Sequence, residues 1–146
     1  MNILEQQQED QVIRREIRFP FAIDAASGQA AQTDYASHVD QMIRQVLLTN
    51  PGERVCLPSF GAGLRRLLFA PMNTSLGATT KLIVTQALNQ WLGDQITVKD
   101  VTVQTQAGST GGAIAGPPLP DSAIVIHVTY VLIETQTITQ TQVQVI

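Results

Sequence analysis

Between Trp91 and Ile96 the spacing of apolar residues changes, and this change constrains the fold more than any other feature of the chain. Before it, apolar residues recur at intervals of three and four. After it they recur at intervals of two. The first period lines one side of a helix and the second one face of a strand. A chain that uses the first and then the second is expected to be α+β, with helices packed on a small, mostly antiparallel sheet and a β-prone C-terminal strand.

The elements follow from that switch. Thr33-Asp34 offers a helix N-cap, and Val39, Met42, Ile43, Val46 and Leu47 repeat with helical spacing, so a helix is expected over 34–48. Asn50-Pro51-Gly52 ends it with turn chemistry. Gly61 and Gly63 bracket a second turn, and Leu64, Leu67, Leu68 and Phe69 suggest a short helix before Pro71. Thr74 or Ser75 caps a third helix, whose buried side carries Leu76, Thr80, Ile83, Val84, Ala87, Leu88, Trp91 and Leu92, and Gly93 stands where a C-terminal cap wants glycine. Ile96, Val98, Val101 and Val103 belong to a strand with a bulge near Lys99-Asp100, and residues 123–134 form the strongest strand. At the front of the chain, Ile17, Phe19, Phe21 and Ile23 alternate as a short extended segment that Pro20 keeps at an edge. Residues 107–122, rich in Gly and Pro, read as a long flexible loop. The expected organisation is an N-terminal arm over 1–11, one domain over 12–135, and a C-terminal strand extension over 136–146.

Composition excludes several classes of function. Charged residues make up 14% of the 146 against 44% hydrophobic, and Gln and Thr fill many of the polar positions. Globular chains average about 25% charged. The deficit fits either a surface largely covered by neighbours or simple drift. Nine basic residues against twelve acidic ones give a net charge of −3, with no basic block beyond Arg14, Arg15 and Arg18, so nucleic acid is not expected as a partner. The polar, acidic start Met1–Asp10 is unlike a signal peptide, and no apolar run is long enough for a membrane span. A single cysteine, Cys56, fits synthesis in a reducing cytoplasm and reads as a small buried or half-buried hydrophobe.

No catalytic constellation assembles from these residues. His38 and His127 are the only histidines and Cys56 the only thiol, too few for a metal site or a nucleophile–base pair, and no cofactor is expected. The Gly61-Ala62-Gly63 turn with Arg65-Arg66 lacks the Lys-Ser/Thr of a phosphate-binding loop. Glu53 is the carboxylate most easily cast as a general acid. Glycoside hydrolysis needs a second carboxylate, and none recurs near Glu53 in sequence. Arg54 beside it points instead to an ion pair or an interface, since a neighbouring cation lowers a carboxylate pKa.

One stretch is more specific than the rest. From Ile43 onward the chain carries Leu47-Leu48-Thr49, Pro51-Gly52-Glu53-Arg54, Pro58-Ser59-Phe60-Gly61 and then Leu64 through Phe69. This run resembles the baseplate wedge and sheath-initiator family of contractile phage tails, pyocin-like particles and related injection systems, whose members are often labelled lysozyme-like. Phe19-Pro20-Phe21 looks like the family's start and Val128-Thr129-Tyr130-Val131-Leu132 like its close, so the resemblance covers about residues 15–135. It implies a structural protein rather than an enzyme, made in the cytoplasm and assembled into the baseplate of a phage tail or tail-like particle. It implies several copies around a ring, six in this family, and contact with the helical core bundle of the wedge proteins, the first ring of sheath subunits, and hub or inner tube proteins.

The residues themselves suggest two interfaces. Pro51, Gly52, Glu53, Arg54, Pro58, Phe60 and Gly61 form a fixed connection after a helix, where Glu53 and Arg54 either face a partner, brace the fold from inside, or do both. Ile138, Val143 and Val145 lie in the Thr/Gln-rich tail, which either offers an open edge to a sheath strand or pairs only with its own sheet. Neither side of that tail looks apolar enough for a deep core strand. Two other functions remain in contention, a peptidoglycan hydrolase at the baseplate and a stand-alone adaptor.

Overall fold

The computed structural model describes residues 15–70, 74–105, 108–110 and 124–145. The arm expected over 1–11 lies outside them. The chain divides into two units after Gln41. In the first, β1 (Arg15–Ile17) pairs antiparallel with β2 (Gln32–Asp34), Arg15 opposite Asp34 and Ile17 opposite Gln32. A bridge between Ile23 and Ala30 continues the hairpin. Its turn is held by Asp24, which accepts hydrogen bonds from Ser27 N at 3.1 Å and Ser27 Oγ at 2.7 Å. The extended run expected through Ile23 is therefore broken after Ile17. Pro20 has no amide hydrogen to give a ladder, and Phe19, Phe21 and Ile23 remain exposed.

Helix α1 (Tyr35–Leu48) starts where the N-cap signal places it. The Asp34 carboxylate accepts a hydrogen bond from Ser37 N at 3.0 Å and satisfies one of the free donors of the first turn. Val39, Ile43, Val46 and Leu47 form its buried stripe.

The second unit, from Met42, holds the rest. A 3-10 helix covers Leu64–Phe69, and α2 covers Thr74–Leu92. The sheet consists of β3 (Ile96–Thr105), β4 (Gly108–Thr110), β5 (Ile124–Leu132) and β6 (Ile138–Val145), in the order β4-β3-β5-β6, antiparallel throughout. Helix α2 packs against β3. The bulge near Lys99-Asp100 is present as a register shift between Val98 and Asp100. It explains the parity of the pattern. Ile96 faces the core at an even position, whereas Val101 and Val103 do so at odd ones, and one extra residue in a period of two makes that change.

Three expectations change. Gly93 does not have the positive φ of a left-handed cap. It is required by close approach, since a Cβ there would press into the Asn89 carbonyl oxygen. The loop expected over 107–122 contains a strand, β4, with Ser109 opposite Gln104 and Thr110 opposite Val103; residues 111–123 lie outside the described set. The tail is a core strand on one side. Val143 and Val145 are each 1% exposed, Thr141 is buried, and the Thr141 hydroxyl lies 3.3 Å from that of Tyr130. The tail alone has too few apolar residues to mark it as a core strand. Strand β5 supplies the other half of that layer through Ile124, Ile126, Val128, Tyr130 and Leu132, all at most 2% exposed.

Candidate functional site

The connection between α1 and the 3-10 helix is a rigid, ordered loop. Thr49 N and Thr49 Oγ1 both donate back to the Gln45 carbonyl, at 3.1 and 2.6 Å, and finish the helix. Gly52 N donates to Pro58 O at 2.7 Å, Phe60 N to Leu57 O at 3.0 Å, Ala62 N to Val46 O at 2.8 Å and Gly63 N to Thr49 O at 3.0 Å. The loop is thus pinned at its middle and at both ends. Gly61, with φ 105°, passes so close to Thr49 that a Cβ would collide with the Thr49 carbonyl oxygen. Only glycine both adopts that φ and leaves the space.

Glu53 and Arg54 are exposed but not loose. The Glu53 carboxylate accepts hydrogen bonds from Asn50 N at 3.0 Å and Asn50 Nδ2 at 2.6 Å. Those two bonds, the backbone one first, hold its carboxyl below the ordinary glutamate range, against a small opposing effect of burial and with help from the charges of Arg65 and Arg66. A general acid in sugar hydrolysis needs the opposite shift. Arg54 Nη2 donates to Gln45 Oε1 at 2.9 Å, and its guanidinium lies 3.8 Å from the centroid of the Phe60 ring. Phe60 in turn packs on Trp91, ring centroids 5.1 Å apart and tilted by 55°. Arg66 Nη2 reaches Pro51 O at 3.3 Å.

Pro51, Gly52, Glu53, Arg54, Pro58, Phe60 and Gly61 therefore share one loop, with the first five exposed and the last two half-buried. Cys56 is exposed as well, not the half-buried hydrophobe expected; it rides the outward turn between Arg54 and Pro58, beside Val55 at 94% exposure. Asn50, Gln45, Trp91 and Arg66 hold this loop; the sequence marked Asn50 for a turn, Trp91 for the core and Arg66 beside a glycine turn, but none of the four as part of this site. The Asn50-x-x-Glu53 spacing was a readable signal, because a polar residue followed three later by Glu is the pattern of a reciprocal cap. Nothing in the sequence marks Gln45 as the partner of Arg54.

Ile138, Val143 and Val145 lie elsewhere, on β6. Ile138 is 72% exposed, and the two valines face inward. What β6 offers outward is backbone. Leu132 N donates to Thr137 O at 3.0 Å, which marks that pair as hydrogen-bonded. Bonded and non-bonded pairs alternate in an antiparallel ladder. With Tyr130 opposite Thr139 and Val128 opposite Thr141, the inward donors belong to Thr139, Thr141, Val143 and Val145. Those of Ile138, Gln140, Gln142 and Gln144 point away from β5, where no strand pairs with them among the described residues.

The two edges of the sheet differ. The β3 side is blunted in the ways natural edges are: the outermost strand is three residues long, a bulge follows Val98, and Lys81 Nζ bridges to Asp100 Oδ1 at 3.0 Å. The β6 side has eight residues, Ile-Thr-Gln-Thr-Gln-Val-Gln-Val, without a charge or a proline. Among the described residues, no three His, Cys, Asp or Glu side chains gather as a metal site, and no helix is long and apolar enough to cross a membrane.

A family model described as baseplate wedge protein gp25 matches residues 33–137. Among solved structures, one of Geobacter sulfurreducens provisionally named a tail lysozyme is similar with a TM-score of 0.62 at 23% identity, over 78% of this chain and 92% of that one. A chain of the anti-feeding prophage baseplate, six-fold symmetrised, is similar with a TM-score of 0.57 at 16% identity, over 99% of this chain and 90% of that one. At these identities the likeness is one of fold. No curated protein matches the chain.

Proposed function

The chain belongs to the baseplate wedge protein gp25 family, and on that premise we propose that it is a non-enzymatic baseplate subunit of a contractile injection machine that starts sheath assembly by accepting a sheath strand on β6. The outer edge of β6, with which no strand pairs among the described residues, carries this reading. An ordered strand with unused donors and acceptors at alternate positions is a template for strand addition, with backbone bonds giving affinity and side chains setting register. Because the inner face of β6 is already packed, the template is rigid before the partner arrives. A second contact fits the 50–63 loop, whose Glu53, Arg54 and Phe60 are held by bonds within the chain and still exposed in whole or part, as a surface for the helical core bundle of the wedge. Several copies around a ring, six by analogy with the symmetrised baseplate, and contact with hub or inner tube proteins complete the proposal. The protein would be made in the cytoplasm and act within the particle. The two hydrogen bonds that Glu53 accepts from Asn50 favour its charged form and disfavour it as the general acid of a hydrolase.

The test is the double substitution Gln140→Pro, Gln142→Pro, which removes two outward donors and leaves the inward ones in place. Particles carrying it are expected to show baseplates and tubes without an ordered sheath. Normal extended sheaths on such particles would refute strand addition. Charge reversal at Glu53 or Arg54 is expected to block entry into the baseplate instead, with the sheath defect following from that loss.

A further inference from the structure

Between Gln41 and Gly93 the chain carries Arg44, Arg54, Arg65, Arg66 and Lys81 against a single acid, Glu53, although the whole chain is acidic at −3. Arg54 lies in the 50–63 loop, and Arg65 and Arg66 follow it in the 3-10 helix, within electrostatic reach of Glu53. Arg54 lies over Phe60, Arg66 reaches Pro51 O, and Arg65 is exposed with neither a hydrogen bond nor an ion pair among the described residues. The one carboxylate of the loop, Glu53, is within electrostatic reach of Arg65 and Arg66, and one acid against three arginines leaves the group with two net positive charges. Both oxygens of Glu53 are engaged by Asn50, and no salt bridge links it to an arginine among the described residues. Apolar groups accompany the charges: Val55, next to Arg54, is 94% exposed and Phe69 is 92% exposed. In a 3-10 helix, residues three apart eclipse, so Phe69 stands on the same side as Arg66.

From this patch we infer that the loop and the 3-10 helix receive a carboxylate-bearing protein surface, with acids meeting Arg54, Arg65 and Arg66 and apolar side chains covering Val55 and Phe69. The inference rests on the reading of the chain as a baseplate subunit and names the chemistry of the partner at that contact. Three planar guanidinium groups with donors to spare favour carboxylates, which they can bind in bidentate fashion. Phosphates offer a similar geometry. The solvent-exposed Phe69 and Val55 argue for protein, because a desolvated apolar centre inside a charged rim is how protein interfaces are built.

The experiment uses the full chain and, as probe, baseplate precursors purified from producer cells lacking this subunit. Binding is measured at about 0.05 and 0.5 M salt, across which the Debye length falls from above 10 Å to a few Å. The expected result is binding that weakens with salt and is about tenfold or more weaker for Arg65→Glu, with Arg65→Lys, which keeps the charge and loses the planar fork, falling in between. Arg65 makes no hydrogen bond or ion pair among the described residues, so its replacement removes only its charge from the neighbourhood of Glu53, and a melting curve together with Arg65→Lys separates a loss of fold from a loss of contact. Salt-independent binding, or an Arg65→Glu variant that binds as wild type does, overturns the inference and leaves the baseplate reading standing. No binding by the wild-type chain overturns the baseplate reading itself. Equally tight, salt-sensitive retention on duplex DNA, lost with Arg65→Glu, overturns the choice of protein in favour of a nucleic-acid contact.

Discussion

Proline placed at two adjacent positions of β6 is expected to separate stability from assembly. The Thr141 amide points towards β5, and the Gln142 amide points away from it. Thr141→Pro removes the hydrogen bond to the carbonyl of Val128, a residue 0% exposed, and leaves that acceptor unpaired in the core. Such a loss costs about 1–3 kcal/mol. The ring also displaces a side chain that is 4% exposed and in contact with the Tyr130 hydroxyl, which brings the expected total to about 3–5 kcal/mol. For a domain of this size, about 3 °C of melting temperature accompanies each kcal/mol, so Thr141→Pro is expected to melt about 10–15 °C low. Gln142→Pro gives up a donor that faces solvent, the place where strands tolerate proline, and is expected to shift the midpoint by about 3 °C or less. Circular-dichroism melts of the two purified variants measure this directly. Electron microscopy of particles should then show the opposite ranking per degree lost, with the barely destabilised Gln142→Pro already defective in sheath order. Equal melting points for the two variants would refute the inward–outward assignment. A Gln142→Pro particle with normal sheath would refute the use made of the outward donors.

Gly61→Ala is expected to lower stability by more than Gly52→Ala: both require positive φ, but only the former drives a Cβ into the Thr49 carbonyl, and thermal melts would show the difference. The folded Glu53 pKa is depressed, so its tie to Asn50 contributes fully above the ordinary glutamate value and is lost as pH falls through the lower folded value. The Asn50 amide resonance should accordingly titrate with a midpoint below the ordinary glutamate range, and Glu53→Gln should abolish that titration. Purified protein is expected to leave cell-wall suspensions turbid, and clearing that disappears with Glu53→Gln would refute the non-enzymatic reading. Tyr130→Phe removes the buried hydroxyl that lies 3.3 Å from that of Thr141 and is expected to lower stability in chemical denaturation by about 0.5–1.5 kcal/mol or more.

Much of the fold was legible because its signals are local. The Asp34 cap, the 39–43–46–47 stripe and the Thr74–Leu92 helix depend on neighbours within a turn or two, and the structure reproduces them. The bulge at Lys99-Asp100 was legible for the same reason, since a change of parity inside one strand has few other causes. What was not legible depends on partners far away in sequence. Val143 and Val145 are core residues because β5 places Ile126 and Ile124 opposite them, and the composition of the tail alone does not contain that fact. Cys56 was misjudged by residue type; its exposure follows from the outward course of a loop set by Gly52, Pro58 and Gly61. Of the loop residues, the grouping was visible as a run of turn-forming and charged positions, whereas the clasp of Arg54 on Gln45 and Phe60 was not.

The unequal edges of the sheet also limit how copies of this protein can join one another. A chain with two bare edges could pair head to tail without end and grow into a ribbon. Here the β3 side is blunted by a short outer strand, a bulge and the Lys81–Asp100 bridge, so among the described residues β6 is the edge better suited to self-pairing. Two copies joined edge to edge would exhaust each other's free donors, and the product would be a closed pair. Subunits that paired through β6 alone would therefore stop at dimers, instead of polymerising into fibres.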